Sequence, residues 1–213
     1  MARNKYPEIT VDKILKAAEH LFLEKGYDNT TIQDIVNELN GLTKGAIYHH
    51  FKSKEDIMDA LGDKIFFANN PFEVVKKRTD LNGLQKMRLA IMLNKADENQ
   101  LELSKQSLPL LNNPQVLVRM IDSNRRILCP YWLELIEEGQ KDGSIHTKYA
   151  AELAEFLAFI DVWFMFLVTG DSVEKMQSKY LFIFEILDKM GLPIYDQDLE
   201  ISIKSLPFFA EAD

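Results

Sequence analysis

The segment from Leu42 to Lys54 constrains the fold of this chain more than any other. It reads Leu-Thr-Lys-Gly-Ala-Ile-Tyr-His-His-Phe-Lys-Ser-Lys. Thr43 can cap the free backbone N–H groups of a first helical turn, and Leu42 and Ile47 have the spacing of a hydrophobic staple. The segment therefore predicts a short helix that begins at Thr43.

This short helix has one face for packing and one for contact. Ile47 and Phe51 are four residues apart and share a face, whereas Gly45 and His49 lie near the opposite side. Gly45 and Ala46 remove bulk from the exposed first turn, although they weaken the helix. A DNA duplex can therefore come close to the backbone there.

The neighbouring residues extend this helix into a helix-turn-helix pattern. A first short helix is predicted near Thr30 to Val36, and a turn that contains Gly41 separates it from the second. A further helix should begin at Ser53, because Asp56 follows at capping distance. Lys54 then lies beside free N–H groups, a good position for binding a phosphate.

Residues 9 to 58 resemble the DNA-binding domain of the tetracycline-repressor (TetR) family. The resemblance rests on these runs: Ile14-Leu15-Lys16-Ala17-Ala18, Leu21-Phe22, Lys25-Gly26-Tyr27, Thr30-Thr31-Ile32, Asp34-Ile35, and Lys44 through Glu55. It covers about a quarter of the chain. The segment from Glu38 to Leu42 is one residue longer than the usual turn of the family.

The resemblance implies which residues meet DNA. Those on bases and nearby backbone would be Thr31, Gln33, Thr43, Lys44, Gly45, Ala46, Tyr48 and His49, and those on phosphates would be His50 and Lys54. It also implies a small-molecule effector that binds in the C-terminal domain and moves the two DNA-reading units apart. Family members form homodimers through their last two long helices, here about 149–169 and 173–190.

The hydrophobic pattern independently predicts that residues 149–169 are buried on all sides. Phe156, Phe159 and Trp163 lie on a helix with hardly any polar face. A partner molecule would cover what its own domain leaves exposed, and helix-turn-helix proteins usually bind DNA as two-fold dimers.

The fold class predicted for the chain is all-α. An N-terminal helix-turn-helix domain should span residues 1–54, and a larger helical ligand-binding and dimerisation domain residues 55–213. Thr10 is expected to cap the first helix. Later helices are predicted at 53–68, 80–95, 97–108, 114–139 with a kink at Pro130, 149–169 and 173–190.

The effector site is predicted from adaptable or amphipathic side chains in the larger domain. The candidates are Met87, Met92, Met120, Tyr131, Trp132, Phe159, Asp161 and Trp163. An ordinary helical core would contain the same residue types, so a purely structural role is the favoured interpretation for any single one of them. Asp161 requires a buried partner, an interface position or a ligand cation.

Charge and motifs exclude several classes. The net charge is −8, but residues 1–54 carry eight basic and seven acidic side chains, so the acidity lies in the rest of the chain. No glycine-rich phosphate loop, metal-ligand spacing or cysteine–histidine pair supports an enzyme, a metal site or a cofactor. The apolar run from Phe156 to Val168 is too short for a membrane span, and no signal peptide is visible, so a cytoplasmic protein is expected.

These observations predict a homodimeric repressor on a pseudo-palindromic operator of double-stranded DNA, released by a small-molecule effector. One alternative is a helical protein-interaction module that presents the exposed helix to another protein. Such a helix should show a contiguous apolar stripe, whereas this one is basic, small and aromatic. Another alternative is a DNA-binding activator, because the sequence does not determine the sign of regulation.

Overall fold

The computed structural model describes residues 7–39, 41–68, 70–96, 108–167 and 173–204. This part of the chain contains helices and no strands, which confirms the predicted all-α class. Its helices are α1 (Pro7–Lys25), α2 (Ile32–Glu38), α3 (Lys44–His50), α4 (Lys54–Ala68), α5 (Pro71–Lys76), α6 (Gly83–Ala96), α7 (Pro114–Asp142), α8 (Ala150–Leu167), α9 (Val173–Lys189) and α10 (Gln197–Lys204). A 3₁₀ helix, Leu108–Asn112, precedes α7.

The first helix begins earlier than predicted and ends where expected. The prediction that Thr10 caps it was wrong, because α1 already starts at Pro7, a residue whose fixed φ suits a first helical turn. Gly26 follows the last residue with a φ of +82°, the left-handed conformation that terminates helices at glycine. Ile14 and Phe22 are buried on the inner face of α1.

A short helix in the middle of the chain was not predicted. The helix before it, α4, ends at Ala68 as predicted, and Asn70 and Pro71 then begin α5. The Asn70 side chain accepts a hydrogen bond from the backbone N–H of Phe72 at 3.0 Å, and Pro71 occupies the first helical position. The next helix, α6, begins at Gly83, three residues after the predicted start.

Two glycines allow α6 and α7 to approach closely. A Cβ atom added at Gly83 would lie 2.2 Å from the backbone nitrogen of Gly139. Asp142 and Ser144 accept hydrogen bonds from the backbone N–H groups of Gly83 and Leu84, at 2.6 and 3.2 Å. The start of α6 is therefore fixed against the end of α7.

The long helix α7 begins as predicted, with Asn113 as its cap and Pro114 in its first turn. Pro130 lies inside this helix, and the kink expected there stays a prediction. The helix predicted at 97–108 falls almost entirely outside the described residues. The chain after α9 forms α10, which the sequence analysis did not predict, and Leu199 on it is fully buried.

The chain divides into two compact units. Unit 1 comprises residues 1–68 and 106–123, and unit 2 comprises residues 69–105 and 124–213. The predicted boundary after residue 54 differs from this division, because α4 packs against α1 inside unit 1. The first residues of α7 also belong to unit 1. The division into a DNA-binding and a ligand-binding domain concerns function and stays a prediction.

Candidate nucleic-acid interface

The start of α2 is held by a reciprocal cap. The Thr31 hydroxyl accepts a hydrogen bond from the backbone N–H of Asp34 at 3.1 Å, and the Asp34 carboxylate accepts one from the backbone N–H of Thr31 at 2.8 Å. The Thr31 hydroxyl also donates to this carboxylate at 2.6 Å, and this bond and the one from the Thr31 backbone N–H hold the pKa of Asp34 below its usual value. The hydroxyl of buried Thr30 donates to the carbonyls of Leu21 and Gly26. The entry to α2 is therefore rigidly joined to α1.

The next helix, α3, has the cap and the anchors that the sequence predicts. The Thr43 hydroxyl accepts a hydrogen bond from the backbone N–H of Ala46 at 3.2 Å. Ile47 is fully buried, and Phe51, just after the helix, is 8% exposed. The inner face of α3 thus packs into unit 1, which determines the face that remains outside.

The outer face of α3 is exposed, small and basic. Thr43, Lys44, Gly45, Tyr48 and His49 are all exposed. A Cβ atom added at Gly45 would have no neighbour closer than the Thr43 hydroxyl at 3.9 Å, so the space above this glycine is open. The Lys44 ammonium lies 6.0 Å from the centre of the Tyr48 ring. This arrangement leaves a gap bordered by hydrogen-bonding groups.

The remaining predicted DNA contacts lie near this face or within the fold. Gln33 is exposed on α2 and donates to the Asn37 side chain at 3.0 Å. Ala46 and His50 are half-buried, and the His50 ring contacts that of His49, with their centres 5.2 Å apart. No comparison tests these contacts, so they stay predictions.

Lys54 is engaged inside unit 1. Its ammonium donates to the backbone carbonyl of Tyr27 at 2.6 Å and lies 4.1 Å from the centre of the Tyr27 ring. The predicted phosphate contact would use the donors that this carbonyl leaves available. Lys54 therefore supports the turn after α1 in addition to any role on DNA.

A polar cluster around Tyr27 was missed by the sequence analysis. The Tyr27 hydroxyl donates to the Glu55 carboxylate at 2.9 Å, and Arg119 on α7 pairs with Asp59 on α4 at 2.6 Å. Burial and the neighbouring Glu55 raise the pKa of Tyr27. Its members are separated by up to 92 positions, so no local spacing could reveal the cluster. It joins α4 to the turn after α1 and to the start of α7.

The candidate effector residues are dispersed. Met120 lies in unit 1, whereas Met87, Met92, Tyr131, Trp132 and Phe159 lie in unit 2. Met87 is fully buried, Met92 is half-buried and Phe159 is 53% exposed. The side chains of Asp161 and Trp163 fall outside those that the structure describes. Of these candidates, Tyr131 and Trp132 take part in an aromatic cluster with Phe72.

The aromatic cluster joins α5 to α7 within unit 2. The Phe72 ring stacks on Tyr131 at 4.8 Å between centres and meets Trp132 edge-on at 4.6 Å. Trp132 is 7% exposed, and its indole N–H has no hydrogen-bond acceptor among the described residues. Such a buried donor costs about 1–3 kcal/mol.

An open cavity of about 540 Å³ lies elsewhere in unit 2, between residues 146–149 and 188–191. None of the candidate effector residues lines it. Within the described ranges, no cluster of three potential metal ligands occurs, and no helix is long and apolar enough to cross a membrane.

Sequence comparison shows which proteins the N-terminal region is similar to. Residues 14–61 match the profile of bacterial regulatory proteins of the tetR family. The HTH-type transcriptional repressor BepR of Brucella suis is 27% identical over 153 residues, which cover 68% of this chain and 73% of BepR. The regulator TtgR of Pseudomonas putida is 45% identical over 53 residues, a quarter of each chain. The negative regulator IcaR of Staphylococcus aureus is 48% identical over 48 residues, 22% of this chain and 25% of IcaR.

Solved structures extend the similarity of fold over most of the chain. Salmonella enterica GusR matches with a TM-score of 0.57 and 20% identity, covering 91% of this chain and 97% of its own. A regulator from Saccharomonospora viridis, solved in complex with choline, matches with a TM-score of 0.55 and 23% identity, covering 83% and 96%. The matched profile and the repressor relative together support a transcriptional regulator of the tetR family, and the solved structures show that the fold is shared.

Proposed function

We propose that the chain is a homodimeric repressor that inserts α3 into the major groove of a pseudo-palindromic operator. The observation that carries this proposal is the outer face of α3. It is exposed, it has open space above Gly45, and it is anchored from behind by fully buried Ile47. A helix in this setting can approach a duplex without moving its own support.

The side chains on this face have complementary tasks. Lys44 can donate to a phosphate or to a guanine edge, and Tyr48 can donate to a phosphate while its ring contacts a thymine methyl group. Gly45 lets the backbone come near the DNA. The face has no contiguous apolar stripe, which disfavours the protein-interaction module.

Exposed apolar side chains on α8 and α9 support dimerisation. Phe159 is 53% exposed on α8, and Leu181 and Phe182 are 52% and 55% exposed on α9. A homodimer that covers them would carry two copies of α3, and two-fold helix-turn-helix dimers bind half-sites about 34–36 Å apart, one turn of DNA. The palindromic operator follows from this two-fold symmetry.

Release of the operator on effector binding is proposed to be a population shift. A molecule that binds unit 2 more tightly in the state that cannot bind DNA lowers the affinity for the operator. Bound operator, in turn, lowers the affinity for the molecule by the same coupling free energy. The Saccharomonospora regulator shows that a chain of this fold was crystallised with a small molecule. BepR is a transcriptional repressor and IcaR is a negative transcriptional regulator, which supports repression here.

Selection of genomic fragments by the purified protein at two salt concentrations tests DNA recognition. We expect recovery of an inverted repeat whose binding survives at the higher salt concentration, because base contacts add to the phosphate contacts. Only sequence-independent, salt-sensitive recovery would contradict the operator model.

Charge substitution tests the dimer. Phe182→Asp should convert the dimer to a folded monomer in sedimentation, because a carboxylate would be buried without a partner. Val118→Asp is the matched control, since Val118 is 63% exposed in unit 1 and should leave the dimer intact. A dimer of unchanged stability in the Phe182 variant would contradict the proposed interface.

A further inference from the structure

Trp132 has a buried hydrogen-bond donor that the described part of the chain does not satisfy. The side chain is 7% exposed, and its Nε1–H lacks an acceptor among the described residues. The indole ring has one donor and no acceptor. Buried polar groups in native proteins almost always have a partner, so an acceptor beyond the described residues is indicated.

The polar groups around the cluster are already matched with one another. The Asn70 amide donates to the Tyr131 hydroxyl at 3.0 Å, and its carbonyl accepts from the backbone of Phe72. Lys76 lies 5.6 Å from the centre of the Tyr131 ring and pairs with Glu134 at 2.7 Å. The cluster therefore combines aromatic surface with one unsatisfied donor, while its nearby cation is neutralised.

We propose that Trp132 donates its indole N–H to a hydrogen-bond acceptor on a neutral, aromatic effector. An anionic effector would lack a cationic partner, because Lys76 already pairs with Glu134. A cationic head group would carry no acceptor for the indole N–H. A carbonyl or ether oxygen attached to an aromatic ring meets both requirements, because its ring can contact the aromatic cluster around Phe72 while its oxygen accepts. This inference rests on the proposed effector function of unit 2 and specifies the chemical class of the effector.

A matched pair of probes isolates the hydrogen bond. Acetophenone and α-methylstyrene have nearly the same shape, but only the ketone carries an acceptor. The chain has two tryptophans, so full-length protein with ¹⁵N-labelled tryptophan should give two indole resonances, and Trp132→Phe identifies the one from Trp132. We expect acetophenone to shift this resonance downfield and to bind about 3- to 10-fold more tightly than α-methylstyrene.

The control removes only the N–H group. Incorporation of β-(3-benzothienyl)alanine at position 132 replaces the indole nitrogen with sulfur and keeps the size of the ring, so it should abolish the preference for acetophenone. Equal binding of the two probes, or a preference that persists in this variant, would overturn the proposal. Absence of any shift up to the solubility of the probes would also overturn it and would leave an ordered water as the acceptor.

A parallel measurement separates this inference from the proposed function. Operator binding is assayed with the same protein in the absence of probe. Intact operator binding together with a failed probe test rejects the role of Trp132 alone. Loss of specific DNA binding in the wild-type protein rejects the repressor model, whereas the probe test still decides whether Trp132 binds the ketone.

Discussion

The substitution Tyr27→Phe tests the cluster that joins α4 to the turn after α1. Tyr27 is 3% exposed, and its hydroxyl donates to the Glu55 carboxylate at 2.9 Å. Phenylalanine keeps the ring and its contact with Phe22, whose centre lies 5.3 Å away. It also keeps the backbone carbonyl that binds Lys54. The substitution therefore removes one hydrogen bond and little else.

The expected loss in the free energy of unfolding follows from the charge of the acceptor. A hydrogen bond to a charged group contributes about 1.5–3 kcal/mol, and the lower end applies because Glu55 is half-exposed. We expect the free energy of unfolding to fall by about 1.5 kcal/mol. For a chain of this length, the melting temperature should fall by roughly 3–6 °C.

The loss should depend on pH. Hydrogen bonds from the Glu55 backbone, from Ser53 and from Tyr27 hold the pKa of Glu55 below its usual value of 4.5. A carboxylate with a depressed pKa stabilises the fold above its unfolded pKa, and this contribution is lost as the pH falls through the folded pKa. The difference between wild type and variant should thus be full at pH 7 and should shrink below about pH 4.

Urea denaturation followed by circular dichroism, at one fixed protein concentration, measures this difference. Tyr48→Phe is the matched control, because Tyr48 is 47% exposed on the outer face of α3 and should lose almost no stability. A Tyr27→Phe variant as stable as this control, or a loss that is the same at pH 7 and pH 3.5, would refute the reasoning.

Two further predictions concern DNA binding and a tight turn. Lys44→Ala and Tyr48→Ala should each weaken specific operator binding at least about 10-fold in a fluorescence anisotropy titration, with unchanged melting curves; native affinity in both would exclude the docking of α3. Gly191→Ala should lower the free energy of unfolding by at least about 2 kcal/mol, since φ is +81° and the new Cβ would lie 1.9 Å from the His146 carbonyl oxygen. Gly143→Ala, with a φ of +82° and open space, should cost only about 1 kcal/mol, and equal losses would show that the clash is relieved.

Local chemistry made the core of unit 1 around α3 predictable. The cap at Thr43 and the buried pair Ile47 and Phe51 were confirmed. These features depend on groups three or four residues apart, and such spacings are visible in any sequence. Predictions of helix ends without such a signal were less accurate, as the early start of α1 at Pro7 shows.

The sequence by itself determined the all-α class, the family resemblance and the exposed face of α3, because each depends on short-range periodicity or on a contiguous motif. Only the tertiary structure showed that Lys54 contacts Tyr27, that the start of α7 with Arg119 belongs to unit 1, and that the buried donor of Trp132 has no acceptor among the described residues. These facts depend on which distant segments meet in space. Burial and pairing are properties of that packing, and no local spacing encodes them.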